Sequence, residues 1–194
     1  MTPGTLKNKY YLMRHGRSLA NEEGIIISDP SNGCSAYGLA PAGRRQISDT
    51  LKSCPYLGPE TLIYCSDFLR TRESAELAAS LLGTEPPRAS ESLRERNFGQ
   101  YEKTADVHYR EVWEKDAMSG QNKDRDVESP DEVRSRFLSF LSELEQNHSG
   151  KKILLISHGD ILQIALTWPE GIEAKDHRLQ KHLETAEIRL FNPR

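Results

Sequence analysis

Two stretches of this chain share one punctuation. The apolar run Lys9–Met13 leads into "RHG", and the unbroken aliphatic run Ile153–Ile156 leads into "SHGDIL". A short continuous apolar run closed by glycine reads as a strand buried on both of its faces. Such strands belong to parallel sheets, whose faces are covered by helices. "TLIYCS" is another strand-like run, "PPRASESL" a candidate short strand, and "AEIRLF" alternates as a final one. Helical patterns lie between them. In "SDFLRTRESAELAASLLG", Ser66 or Asp67 is placed to cap, Ala75, Ala78, Leu81 and Leu82 share a face, and Gly83 suits the C-terminal turn. In "SPDEVRSRFLSFLSELEQ", Ser129 caps, Pro130 takes the first helical position and Glu132 completes a capping box. Val133, Phe137, Phe140, Leu141 and Leu144 then form its apolar face. The alternation predicts an α/β fold: a three-layer α/β/α sandwich around a mainly parallel central sheet.

The 194 residues are read as a single domain, 1–194. "NEEGIIISDPSNGCSAYG" reads as a long loop, and "APAGRRQISDTLKSC" as weakly helical. Residues 94–126 are polar and poor in aliphatics. They predict an excursion (about 96–126) packed over the domain, with one short helix around Val107–Met118. A net charge of −3 with no basic stripe speaks against a nucleic-acid partner. The three cysteines, Cys34, Cys54 and Cys65, have no CxxC or metal-type spacing and read as free thiols in a reducing compartment. No apolar run approaches the length of a membrane span, and "MTPGTLKNK" lacks the apolar core of a signal peptide. The expectation is a cytoplasmic protein with no membrane partner; the sequence leaves its oligomeric state open.

In parallel sheets, ligands bind just beyond the carboxyl ends of the strands. Polar residues followed by glycine are also an ordinary way to end a strand, so either His-Gly pair alone says little. Together with "YCSDFLR", however, they bring Arg14, His15, Arg70 and His158 to one rim. That set suits phosphoryl chemistry. A guanidinium fork binds phosphate oxygens in pairs, and an imidazole nitrogen is a competent nucleophile near neutral pH. Paired histidines also suit a metal, but catalytic zinc normally takes three protein ligands, and the arginines would repel a cation. Neither a metal nor a cofactor is therefore expected. Spacing alone leaves open which histidine attacks.

These residues carry a resemblance. "LMRHGRSLANEEG" resembles the opening signature of the histidine phosphatase superfamily, the phosphoglycerate-mutase-like proteins of branch 1 type, with Arg14, His15, Gly16, Ser18 and Asn21 in the pattern. "LAPAGRRQ" is similar to the family's Leu-Thr-x-x-Gly-x-x-Gln stretch, and "SDFLRTRESA" to its Arg-bearing helix start. "LRERNFGQYE" resembles the acid-bearing segment, "ESPDEVRSRF" the Gly-Glu-Ser segment and "ISHGDIL" the second histidine motif. The matches keep their order from Lys9 to about Phe191. The resemblance implies that His15 is the nucleophile and becomes phosphohistidine. It implies that Arg14, Arg70 and His158 line the phosphate pocket, with Asn21 and Gly159 also binding substrate. Glu95 would be the general acid and then the base for water; from its "RER" setting alone it reads as a solvated charge.

The sequence departs from the family pattern at Arg17, at Val127 before Glu128-Ser129, and at Glu73 and Ser74. The implied activity is a metal-independent phosphomonoesterase acting on a small phosphorylated metabolite. A phosphoglycerate-type mutase is the alternative, but "KTADVHYREVWEKDAMSGQNKD" lacks the arginine-rich segment of those enzymes. A non-catalytic phospho-ligand binder or scaffold is a further alternative, although the whole inferred catalytic set is present. Arg17, Arg96, Lys103, His108 and Arg110 are candidates for contacts to acidic substrates.

Overall fold

In the computed structural model, which describes residues 6–191, the run KYYLMR forms β1 (Lys9–Arg14) and KILLIS forms β4 (Lys152–Ser157). The chain between them supplies α1 (Leu19–Glu23), α2 (Pro30–Gly33), α3 (Pro41–Lys52), β2 (Leu62–Cys65), α4 (Leu69–Leu82), β3 (Arg88–Ala89), α5 (Tyr109–Asp116) and α6 (Pro130–Asn147). After β4 come α7 (Gly159–Ala165), a 3-10 segment (Ala174–Leu179) and β5 (Ile188–Phe191). The ends of the expected domain, with most of "MTPGTLKNK", lie outside the described residues. Among the described residues, no helix is long and apolar enough to cross a membrane.

The strands order as β3-β2-β4-β1-β5, parallel except for β5, which returns antiparallel beside β1. Alternate residues of the central strands point to opposite faces. Tyr11, Met13, Ile63, Leu154 and Ile156 pack under α3 and α4, while Tyr10, Leu12, Tyr64, Ile153 and Leu155 pack under α6 and α7. This is the three-layer sandwich that the pattern predicts. β1 and β4 are adjacent, and Arg14 pairs in register with Ser157. The two His-Gly motifs therefore leave the sheet side by side.

Three local expectations need correction. The stretch read as a long loop folds into two short helices. A Ser18–Asn21 capping box starts α1, and the Asp29 side chain with Pro30 starts α2. Neither Ser66 nor Asp67 caps α4; Phe68 stands at the cap without a side-chain bond, because Arg94 draws the Asp67 carboxylate away at 2.6 Å. The buried face of α4 is Thr71, Ser74, Ala75, Ala78 and Ala79, while Leu81 is 51% exposed. The helical period runs back from Ala75 to Thr71, and small side chains let the helix lie close to its neighbours. α6 follows its sequence signal in full, with the reciprocal Ser129–Glu132 box and every expected apolar residue buried. The excursion is tied down by a separate apolar cluster of Ile26, Phe98, Tyr101, Val112 and Val127.

Candidate active site

The register of β1 on β4 sets His15 and His158 with ring centroids 5.2 Å apart. Arg70, in the first turn of α4, directs its Nε hydrogen to both, 3.2 Å from His15 Nε2 and 3.2 Å from His158 Nδ1. A guanidinium only donates, so both of those nitrogens present lone pairs. His15 Nδ1 donates to the Gly16 carbonyl at 2.7 Å. His15 is thus a neutral imidazole with its proton on Nδ1 and its lone pair on Nε2. Burial, then the charges of Arg70 and Arg14, hold its pKa well below the histidine range. Burial and Arg70 do the same for His158. The glycines of the motifs have steric work here. A Cβ on Gly16 would stand 2.6 Å from the Gly43 carbonyl, and one on Gly43 would stand 2.2 Å from that of Arg17. Ser74, one of the departures from the family pattern, accepts from the Gly16 amide at 3.2 Å and donates to the Arg70 carbonyl at 2.6 Å.

Arg70 Nη2 donates to the Ile27 carbonyl at 2.9 Å, and Arg14 Nη1 to the Leu183 carbonyl at 3.0 Å. Among the described residues, their remaining buried nitrogens, Arg70 Nη1 and Arg14 Nε, have no partner, and neither has His158 Nε2. With Nδ1 accepting, His158 Nε2 carries the hydrogen, so all three atoms are donors. Buried donors without partners are costly and uncommon in a native interior. Three of them in the cluster that holds the unprotonated Nε2 of His15 are a set that can take up an anion.

Glu95 is 8% exposed, and its carboxyl accepts from the Arg96 amide at 3.0 Å and the Ile161 amide at 3.3 Å. Burial, then the nearby Asp160 charge, raises its pKa, with Arg70 opposing. A carboxyl so placed holds a proton more readily than a solvated one. Glu95, Arg14, Asn21 and Gly159 line one pocket of about 200 Å³. Asn21 accepts at its side-chain oxygen from the Ser18 amide and hydroxyl, at 3.1 and 3.0 Å, which leaves its NH₂ group for a ligand. The residues predicted for chemistry are thus brought together.

The predicted rim contacts are not. Arg96 is fully buried, donating to Asp116 at 2.6 and 2.8 Å, to Asp160 at 3.1 Å and to the Glu128 carbonyl at 2.7 Å. Its charge is neutralised and cannot meet substrate. Arg110 pairs with Glu114, His108 lies near Glu111 and Arg17 lies near Glu22; none of these, nor Lys103, lines the pocket. The outer wall is formed instead by Tyr109, Trp113, Gln163, Arg178 and His182. No motif marked Arg178 or His182. They reach the pocket because β5 returns beside β1 and carries the preceding segment over Arg14. Glu128 pairs with Arg136 at 2.7 Å, in keeping with a structural role beside the α6 cap. Among the described residues, no group of three or more His, Cys, Asp or Glu side chains could hold a metal ion.

The family model described as "Histidine phosphatase superfamily (branch 1)" matches residues 10–193. "Phosphoglycerate mutase-like protein 4" of Arabidopsis thaliana is 26% identical over 161 residues, 78% of this chain and 66% of that protein, so the chain spans just under two thirds of its length. A Klebsiella pneumoniae protein named "Probable phosphoglycerate mutase GpmB" is 31% identical over 173 residues, 87% of this chain and 77% of the relative. The solved mycobacterial glucosyl-3-phosphoglycerate phosphatase in complex with VO3 superposes with a TM-score of 0.78 at 17% identity, covering 93% of this chain and 88% of that one, a likeness of fold. The names divide between mutase and phosphatase.

Proposed function

Because the chain belongs to the histidine phosphatase superfamily, branch 1, we propose that it is a phosphomonoesterase that hydrolyses a small phosphorylated metabolite through phosphohistidine at His15, with no metal taking part. The observation that carries this reading is the unprotonated Nε2 of His15, which accepts only from Arg70 Nε among the described residues, in a cluster with three unpartnered buried donors, Arg14 Nε, Arg70 Nη1 and His158 Nε2. The phosphoryl transition state spreads charge over its equatorial oxygens, and fixed donors in a water-poor site stabilise that charge. His15 Nε2 attacks phosphorus as the ester P–O bond breaks, and the proton on Glu95 passes to the leaving alkoxide. Glu95, now a carboxylate, takes a proton from water. That water attacks phosphorus, the P–N bond breaks, and neutral His15 and protonated Glu95 return.

The arginine-rich segment expected of a mutase has no counterpart in the excursion, where Arg96 is internal and Arg110 is paired at the surface. The test is phosphate release from p-nitrophenyl phosphate with EDTA present, beside a 3-phosphoglycerate mutase assay. Release that survives the chelator, with no isomerised product, is expected. Isomerisation outpacing release would favour the mutase. Loss of activity restored by added divalent metal would overturn the metal-free reading.

A further inference from the structure

Arg178 differs from the other arginines of the site. Its guanidinium lies over the Trp113 ring, 3.6 Å from the centroid, and Nη1 donates to Gln163 Oε1. Each of these supports is held in turn. The Trp113 indole N–H donates to Asp160 at 2.8 Å, and its ring stacks on Tyr109 with centroids 5.5 Å apart. Gln163 Nε2 donates to the Gln180 carbonyl at 2.6 Å. A long side chain on an irregular segment is therefore fixed from several directions on the wall of the pocket that also contains Arg14 and Glu95. Among the described residues, it forms no ion pair with a carboxylate. Asp160, the acidic group that acts on it, is already bound by Arg96 and Trp113.

A guanidinium pre-set on an aromatic face, on the wall of the pocket that Glu95 and Arg14 also line and with only Nη1 engaged among the described residues, can receive a planar anion. The rest of the wall limits which anion. Glu95, Asp106 and Asp160 line the same pocket, whose volume is about 200 Å³. A second dianionic phosphate would meet those carboxylates, whereas one planar charge is matched by one fork. We propose that Arg178, seated on Trp113 and Gln163, is the specificity-determining residue of this pocket and binds a carboxylate carried by the leaving group, so that the substrate is a short phosphorylated acid. This rests on the phosphomonoesterase reading and narrows its substrate class. It also places the charged contact to the leaving group in the segment before β5, with Trp113 of the excursion as its seat.

The test compares two esters of one skeleton, 3-phosphoglycerate and glycerol 3-phosphate, which differ by a carboxylate against a hydroxymethyl group. Wild-type kcat/KM should favour 3-phosphoglycerate by at least about tenfold, the usual worth of a charge-assisted pair. Arg178→Gln should cut kcat/KM on 3-phosphoglycerate by about 10–100-fold, mostly through KM, and on glycerol 3-phosphate by less than about threefold. Arg178→Lys, which keeps the charge and loses the fork, should fall between. Equal wild-type turnover of the two esters, or equal losses on both in Arg178→Gln, would overturn the assignment. Failure of the wild type to hydrolyse either ester or p-nitrophenyl phosphate would instead overturn the phosphatase reading. The subsite would then be judged by titration calorimetry of the same two esters on His15→Ala: tighter binding of 3-phosphoglycerate that Arg178→Gln abolishes supports it, and equal binding refutes it.

Discussion

Arg70 and Arg96 are both buried, 4% and 0% exposed, and each centres a polar cluster, yet the two clusters are completed in opposite ways. Arg96 meets two carboxylates and a backbone carbonyl, which join the Glu95 loop, α5 and the start of α7. Burial lowers its pKa, but Asp116 and Asp160 more than compensate. Arg70 meets two imidazoles and one carbonyl; among the described residues no carboxylate bonds to it, and one nitrogen has no partner. Burial pulls its pKa down, with Glu95 only partly opposing. A buried arginine closed by carboxylates is a strut. One left open keeps its field for a ligand with negative charge.

If that contrast is right, the two arginines fail differently. Arg70→Met should lower kcat by about 10³–10⁵-fold, the scale of an arginine that stabilises a transferring phosphoryl group. Its melting temperature should fall little, since no carboxylate is left unpaired. A large loss of stability would make Arg70 a strut as well.

Glu95 lies between the clusters, held by the Arg96 amide and raised partly by Asp160. Glu95→Gln should reduce kcat/KM on alkyl phosphates by about 10²–10⁴-fold. It should reduce turnover of p-nitrophenyl phosphate far less, because that leaving group departs without a proton. The acid works protonated, so wild-type kcat/KM on alkyl esters should fall as pH rises through its elevated pKa, and Glu95→Gln should lose that limb. Equal losses on both substrates would make Glu95 a structural member of the cluster.

Arg96→Met leaves Asp116 and Asp160 buried without their partner. The expected cost is about 3–5 kcal/mol in denaturant unfolding. Arg96→Met together with Asp116→Leu should recover part of it, and a single variant as stable as wild type would remove the strut from the account.

Stability should also depend on pH. His15, His158 and His177 all have folded pKa values below 6.5, each chiefly through burial, with Asp160 and Asp116 opposing at His177. Below pH 6.5 the unfolded chain binds protons that the folded one refuses, so stability falls as pH falls. His15 and His158, held well below 6.5 in the fold, contribute across this whole range, and His177 adds to it in the same direction. Glu95, raised in the folded state, offsets one such share where it takes up its proton. A melting temperature lower at pH 5 than at pH 7 is expected, and the reverse would contradict the neutral histidines.

The open cluster was legible in the sequence because its parts sit at strand ends, where periodicity and the ordered motifs both act. Arg14, His15 and His158 follow from two apolar runs, and Arg70 from a helix start. The outer wall was not legible. Arg178 and His182 arrive by the antiparallel return of β5, a long-range pairing that leaves no local spacing. Arg96 is hidden from sequence reasoning for the opposite reason. Its charged surroundings look like a solvated run, and only the fold brings Asp116 and Asp160 to it. The α4 cap failed on the same kind of fact: Asp67 has a local role by sequence, but Arg94 claims it in space.

The most direct test of the central claim, that the open cluster exists to put a phosphoryl group on His15, is to quench turnover without acid and map the phosphorylated peptide by mass spectrometry. The account predicts phosphohistidine at residue 15 and its loss, with turnover, in His15→Ala. Phosphate on His158, or near wild-type turnover by His15→Ala, would contradict it.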